Sequence, residues 1–184
     1  MSFGTLVRIK KLFFTRCASR RRYCLDDQIA RSDVQIKKPK MAFAQISSNQ
    51  TKVLGPHGSC TPIAFNSTDA MGGDVKVSQY GMTVPTSGNY LIVAAPQVGG
   101  TPQCSGTYDS DFWMRVNGQD LPNSNVRLQA ACSSKDVIVT QGITHMNAGD
   151  TIEVCGSGRN AQIEAIQVQG EPLIPSFIGT LVRL

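Results

Sequence analysis

Helix-forming stretches, long apolar runs and histidine are all scarce in this chain of 184 residues. Charged residues make up 17% of it, low for a solvated helical bundle, while seventeen glycines and nine prolines interrupt almost every segment. No stretch approaches the ~20 apolar residues of a membrane-spanning helix. The early run Leu12-Phe13-Phe14 falls far short of the roughly 7–15 apolar residues at the centre of an export signal. Only two histidines occur, His57 and His145, and the sequence sets neither beside an acid and a nucleophile. No G-x-S-x-G elbow, phosphate loop or H-E-x-x-H motif is present. The expectation is therefore a protein with no catalytic residues and no cofactor, with His57 as an exposed loop residue in a Pro-Gly turn and His145 in a strand or turn.

Cysteine is present but lacks metal-site spacing. Cys17, Cys24, Cys60, Cys104, Cys132 and Cys155 form no C-x-x-C pair, which removes zinc-ribbon and thioredoxin-type readings. The even count permits disulfides in an oxidising compartment. With no export signal visible, buried free thiols in a reducing compartment are the expectation.

What is there in excess is positive charge at one end. Residues 1–40 hold eleven of the eighteen Lys and Arg against three acids, a balance of +8; the rest holds seven bases and ten acids, a balance of −3. A basic arm, including Arg8, Lys10, Lys11, Arg20, Arg21 and Arg22, precedes a mildly acidic body. Such an arm suits contact with nucleic acid, an anionic membrane or an acidic partner, and a solvated leader or a cleaved organellar presequence has the same composition. Its one stretch with helical spacing is Leu6 to Arg22. Met1 opens the chain, so a retained arm is preferred over a natural start at Met41.

From Met41 onward short apolar segments alternate with turn residues. Ala42–Ile46, Pro62–Phe65, Asp74–Val77, Met82–Val84 and Tyr90–Ala95 read as strands, the last a continuous apolar run suited to burial on both faces. The stretch QVGGTPQCSGTYDSD then reads as a loop. Phe112, Met114 and Val116 alternate with Trp113 and Arg115, and Asn117-Gly118 favours the positive φ angles of a two-residue hairpin turn. Asn125–Gln129, Asp136–Thr140, Thr151–Val154, Gln162–Val168 and Ser176–Arg183 complete the series. The fold class is all-β: a single jelly-roll β-sandwich of about 8–10 antiparallel strands over residues 41–184, with a basic N-terminal arm over 1–40.

Few residues suggest site chemistry. Asp109 and Asp111, in YDSD, are hard oxygen ligands suited to calcium but lack a neighbouring third ligand, so a solvated turn is the simpler reading and no metal is expected. GSGRN at 156–160 has the composition of an anion cradle, and a loop joining two strands explains it equally. Asn49-Gln50-Thr51 and Asn66-Ser67-Thr68 are formal glycosylation sequons. Trp113, the single tryptophan, lies on an alternating strand and belongs either to a subunit contact or to a two-sided core.

Four phrases in order suggest a family. MAFAQISS at 41–48, YGMTVPTSGNYLIVAAP at 80–96, MNAGDTIEV at 146–154 and PSFIGTLVRL at 175–184 carry it. Residues 41–184 resemble the tumour necrosis factor-like superfamily, in particular the globular head of the complement q subcomponent and its bacterial and viral relatives, capsid and penton proteins among them. Pro85, Gly88 and Tyr90 match the Val-Pro-x-x-Gly-x-Tyr part of the family's aromatic-led signature, with Tyr80 just upstream and Met82 in the usual Phe place. Gly149 and Asp150 match the Gly-Asp turn, and Phe177 and Gly179 the closing strand. The resemblance implies a homo-oligomer, trimeric or pentameric.

The preferred functional expectation is a structural, self-assembling virion component such as a penton, minor capsid or spike subunit, with neighbouring coat proteins as partners. The alternatives are a trimeric ligand- or receptor-binding head and an organelle-targeted jelly-roll protein. SFGTLVRIK at 2–10 shares GTLVR with SFIGTLVRL at 176–184, so residues 3–9, with Phe3 and Leu6, are expected to add a strand to a neighbouring sheet edge.

Overall fold

The computed structural model describes residues 40–184. The expectations for Phe3, Leu6, Arg8, Lys10, Lys11, Arg20, Arg21 and Arg22, for the added strand over 3–9, and for Cys17 and Cys24 lie outside the described residues.

The elements are strands throughout: β1 Phe43–Ser48, β2 Lys52–Val53, β3 Thr61–Pro62, β4 Ser67–Gly72, β5 Lys76–Val77, β6 Gly81–Thr83, β7 Gly88–Gly100 and β8 Thr107–Val116 in the first half. The second half has β9 Gln119–Asp120, β10 Val126–Ala131, β11 Lys135–Val137, β12 Thr140–Met146, β13 Thr151–Arg159, β14 Ala161–Ile163 and β15 Phe177–Arg183. They form two antiparallel sheets. The first runs β2-β14-β7-β15-β1-β4, with β11 and β12 also paired to β7; the second runs β10-β8-β13-β6-β5, with β3 on β13 and β9 on β8. Within them the orders β1-β15-β7-β12 and β6-β13-β8-β10 make a jelly roll: successive strands of the roll cross between sheets except at the β8–β10 connection, and the closing strand β15 lies between β1 and β7. Eight strands carry the roll, and the rest are short additions to its edges and ends.

The core follows from strand alternation. Ala44 and Ile46 of β1, Tyr90, Ile92 and Ala94 of β7, and Phe177 and Leu181 of β15 are buried facing Met82 of β6, Tyr108, Phe112 and Met114 of β8, and Ile152 and Val154 of β13. The larger apolar side chains each contribute about 1.5–3 kcal/mol through burial, less what is already buried in the unfolded chain. Phe177 stacks on Phe65 with ring centroids 5.4 Å apart. Gly179 permits this packing, since a Cβ there would stand 2.8 Å from the Phe177 ring and 3.1 Å from Ile46.

The family-like phrases meet in space. The buried Tyr90 hydroxyl donates to the Thr86 carbonyl at 2.6 Å, locking the Pro85–Gly88 turn that feeds β7. Val84 N–H donates to Asp150 O at 3.0 Å and Gly149 N–H to Val84 O at 2.9 Å, clasping two phrases together. Asp150 also accepts from Asn117 Nδ2 at 2.8 Å, and Asn117 and Gly118 have φ of 51° and 76°, as the hairpin reading requires. Gly149, at φ 92°, turns the chain into β13. Tyr80 remains exposed at the entrance to β6.

Several local expectations are corrected. QVGG continues β7 to Gly100, because its backbone is flanked by β14 on one side and β11 on the other. TYDSD belongs to β8, not to a loop, and GSGR continues β13, leaving Asn160, at φ 56°, as the turn into β14. Among the residues read as strands, Pro62–Phe65 contributes only β3 at its start, and Gln162–Val168 only β14, followed by the isolated bridge between Ile166 and Ile174. β4 and β12 carry no strand signature in the sequence. β4 is largely exposed and β12 alternates exposed with half-buried residues, so neither shows a buried apolar run.

The free-thiol expectation is overturned for four cysteines. Cys60 is bonded to Cys155 and Cys104 to Cys132, with Cα atoms 5.1 and 5.7 Å apart. Cysteines without local spacing pair here because the roll brings distant segments together. The first bond joins positions 95 apart in sequence.

Candidate functional site

The outer face of the second sheet carries a lattice set by register. Asp109, Asp111, Trp113 and Arg115 point outward from β8, opposite the buried Tyr108, Ser110, Phe112 and Met114. Cross-strand pairing places Arg127 of β10 and Ser157 of β13 on either side of Asp111, Gln129 and Arg159 on either side of Asp109, and Cys155 beside Trp113. Trp113 therefore lies outside the core between the two sheets. It is half-buried on the outer face, with Nε1 donating to Asp120 Oδ1 at 2.9 Å.

A short strap covers this face. Gly55-Pro56-His57-Gly58-Ser59-Cys60 leaves β2 beneath Leu54 and turns back, with Ser59 N–H donating to Pro56 O at 3.0 Å. Gly58 has φ 82°, the left-handed conformation that the third position of a type II turn requires. One end is fixed by Gly158 N–H donating to Gly55 O at 2.8 Å, the other by the Cys60–Cys155 disulfide.

His57, at the strap's tip, comes down between the two carboxylates. Its Nδ1 lies 2.7 Å from Asp111 Oδ2, and its Nε2 is paired with Asp109 Oδ1. Arg127 grips Asp111 bidentately, Nε to Oδ1 at 2.6 Å and Nη2 to Oδ2 at 2.9 Å. Arg159 grips Asp109, Nη2 to Oδ2 at 2.8 Å.

The titration behaviour follows from these contacts. Hydrogen bonding to Asp109, then to Asp111, raises the His57 pKa above its ordinary value. Burial pushes the Asp109 carboxyl up, but hydrogen bonds from His57 and Arg159 outweigh it and hold the carboxyl below the usual range. At Asp111 the hydrogen bonds from Arg127 are the largest influence, and with help from His57 they hold the carboxyl below the usual range against the opposing effect of burial.

This geometry settles what His57, Asp109 and Asp111 do structurally. His57 is not a free loop residue, because both ring nitrogens face carboxylates. A general base needs a ring nitrogen facing its substrate, and both nitrogens of His57 are turned to carboxylates. The carboxylates face nitrogen donors from three side chains, so a calcium ion would have to displace an arginine or the histidine. His145, whose Nδ1 is 3.3 Å from Asn89 Oδ1, lies at the exposed end of β12.

Beside the strap the lattice opens into a cleft of about 360 Å³. Its floor is Asp111, Trp113 and Ser157; His57 and Gly58 of the strap form one side; Asp120, Leu121, Asn123, Asn125 and Arg127 complete it. The sequence singled out Trp113, Asp111, His57 and, within GSGRN, Ser157 for other reasons, and missed the rest. Asn123 and Asn125 look like ordinary turn residues until β8, β9 and β10 are folded together.

No protein-family model matches the chain, and no curated protein matches it. Among solved structures, the globular domain of zebrafish complement 1qA protein is similar, with a TM-score of 0.49 and 11% identity over 76% of this chain and 94% of that one.

Proposed function

We propose that residues 41–184 form a self-associating, non-enzymatic recognition module that buries the outer face of its first sheet against further copies and presents the second sheet outward. The observation carrying this reading is the surface across β12, β7, β15 and β1, which holds a central apolar row flanked by uncharged polar side chains. Register lines up Ile143, Leu91, Val182 and Phe43 in one row, with Gln141, Val93, Thr180 and Gln45 in the next and Ala95, Ile178 and Ser47 beyond. Ile143 is 65% exposed and Ile178 40%, while Leu91, Val93, Val182 and Phe43 are half-exposed. Such a surface has the composition of an interface core and needs no partner of opposite charge, so a second copy is a fitting occupant. The second sheet's outer face, with Asp109, Asp111, Arg115, Arg127, Glu153 and Arg159, has the opposite character. The sequence resemblance implies three or five copies, and three is the number proposed.

The two disulfides favour an oxidising environment, which suits a secreted ligand- or receptor-binding head better than a protein of a reducing compartment. The capsid, penton or spike reading combines the jelly roll, shared with binding heads, with a basic arm that lies outside the described residues and a reducing compartment that the two disulfides do not favour.

Light scattering on the full chain across micromolar concentrations tests self-association. The expected mass is three times 19.8 kDa, and an Ile143→Glu/Ile178→Lys variant is expected to run as a monomer with unchanged circular dichroism. A wild-type protein that is monomeric throughout refutes the reading.

A further inference from the structure

The cleft beside the strap has the chemistry of a binding site, and three observations specify its ligand. The first is an oriented aromatic surface. Trp113 is half-buried in the floor, and its hydrogen bond to Asp120 fixes the plane of the indole. The negative face of an aromatic ring attracts weakly polarised C–H groups, so a ring-shaped ligand with an apolar C–H face stacks there.

The second is charge. His57, Arg127, Asp111 and Asp120 line the cleft, but their charges are already engaged: Asp111 by His57 and Arg127, Asp120 by Arg115 at 2.9 Å. Neither a phosphate nor an amine finds an uncommitted charge of opposite sign. The third is unspent hydrogen bonding. The Asn123 and Asn125 side chains are exposed and make no hydrogen bond among the described residues. Ser157, 1% exposed on the cleft lining, has an Oγ with no partner among them. A buried hydroxyl without a partner costs about 1–3 kcal/mol, so it marks a place where a ligand or water group is wanted.

An aromatic platform, amides that both donate and accept, and a neutral balance fit one class of ligand. We propose that the cleft between the strap and the β9–β10 turn binds a neutral sugar residue of a glycan, its C–H face on Trp113 and its hydroxyls on Asn123, Asn125 and, deepest, Ser157. The proposal deepens the recognition reading by naming its site and ligand class. The cleft lies on the opposite sheet from the apolar face, so the two stand or fall separately.

Trp113 is the chain's only tryptophan, so its fluorescence reports directly on the cleft. The full chain is titrated with the methyl glycosides of mannose, galactose, glucose and N-acetylglucosamine, and separately with inorganic phosphate. At least one glycoside is expected to give a saturable change with a Kd of about 1 mM, ordinary for one small ligand on an open site. Phosphate is expected to give none. Asn125→Ala, at an exposed position, is expected to weaken that binding about tenfold, equivalent to about 1.4 kcal/mol, without moving Tm. Trp113→Leu, followed by saturation-transfer NMR on the same glycoside, is expected to lose the signal.

No saturable response to any glycoside up to about 100 mM overturns the proposal, since a site that weak has no recognition value. A response to phosphate of equal strength overturns it too, as does glycoside binding untouched by Asn125→Ala and Trp113→Leu. A trimer that ignores glycosides sinks the cleft alone; a monomer that binds them sinks only the self-association.

Discussion

His57 and Asp111 stand 54 positions apart in sequence and 2.7 Å apart in the fold. The contact joins a turn between short strands to the middle of a long one, and Asp109, on the same face, holds the other side of the imidazole ring. Arg127 and Arg159 approach from the two neighbouring strands. The cluster therefore ties the strap, β8, β10 and β13 together on the face that carries the cleft. Its carboxylates are almost wholly buried, whereas His57 retains 39% side-chain exposure, so water screens the histidine's share.

The pH dependence of stability follows from the direction of each shift. His57, with a raised folded pKa, contributes stability that is fully present below its ordinary value of 6.5 and is lost as pH rises through the folded pKa. Asp109 and Asp111, held below their ordinary value of 3.8, contribute stability that is present above that value and is lost as pH falls through their folded pKa values. The cluster stabilises most strongly between about pH 4 and 6.5. Urea midpoints measured from acid to mildly alkaline pH are expected to fall on both sides of that window. His57→Ala is expected to flatten the alkaline limb and lower stability by about 1 kcal/mol at the optimum, discounted for exposure. An alkaline limb of unchanged slope in the variant assigns it to other groups.

Two glycines give a paired test of packing. A Cβ on Gly179 would press on the Phe177 ring and Ile46, both held in the core, so Gly179→Ala is expected to cost about 1–3 kcal/mol. Gly142, in β12, has no atom within 4 Å of where its Cβ would go and no left-handed φ. Gly142→Ala is expected to be neutral or to stabilise by up to about 1 kcal/mol, by restricting the unfolded chain. Chemical denaturation of both variants checks the contrast, and equal effects would contradict this account of the core.

What the sequence disclosed divides along physical lines. Tyr90 to Ala95 was readable because a strand buried on both faces is a plain apolar run. Asn117-Gly118 was readable because few residue pairs adopt two positive φ angles cheaply. The closing strand's faces were likewise legible: Phe177, Gly179 and Leu181 turn inward, while Ile178, Thr180 and Val182 face out. Asp109 and Asp111 resembled a solvated turn because polar residues in a strand, buried by an overlying strap, have no local signature. The same holds for His57 and the cysteines. Their partners lie 28 to 95 positions away, and only closure of the roll brings them into contact.

The disulfides supply the last prediction. Closing a loop restricts the unfolded chain more as the loop lengthens, so the bond spanning 95 positions is worth more than the one spanning 28. The chain-entropy estimate is about 4.7 kcal/mol for the first and about 3.6 kcal/mol for the second. Cys60→Ser/Cys155→Ser is expected to lower Tm further than Cys104→Ser/Cys132→Ser. It also has a local effect that the second pair lacks: with Cys60 released, the strap is held at the Leu54–Gly55 end, and His57 is no longer pressed onto both carboxylates. The alkaline limb of the stability profile is therefore expected to flatten in the Cys60→Ser/Cys155→Ser variant and to persist in the Cys104→Ser/Cys132→Ser variant. Thermal melts of both across pH separate the two effects. Identical pH profiles would mean that the strap keeps its position without its covalent anchor, leaving the hydrogen bond from Gly158 and the burial of Leu54 to hold it.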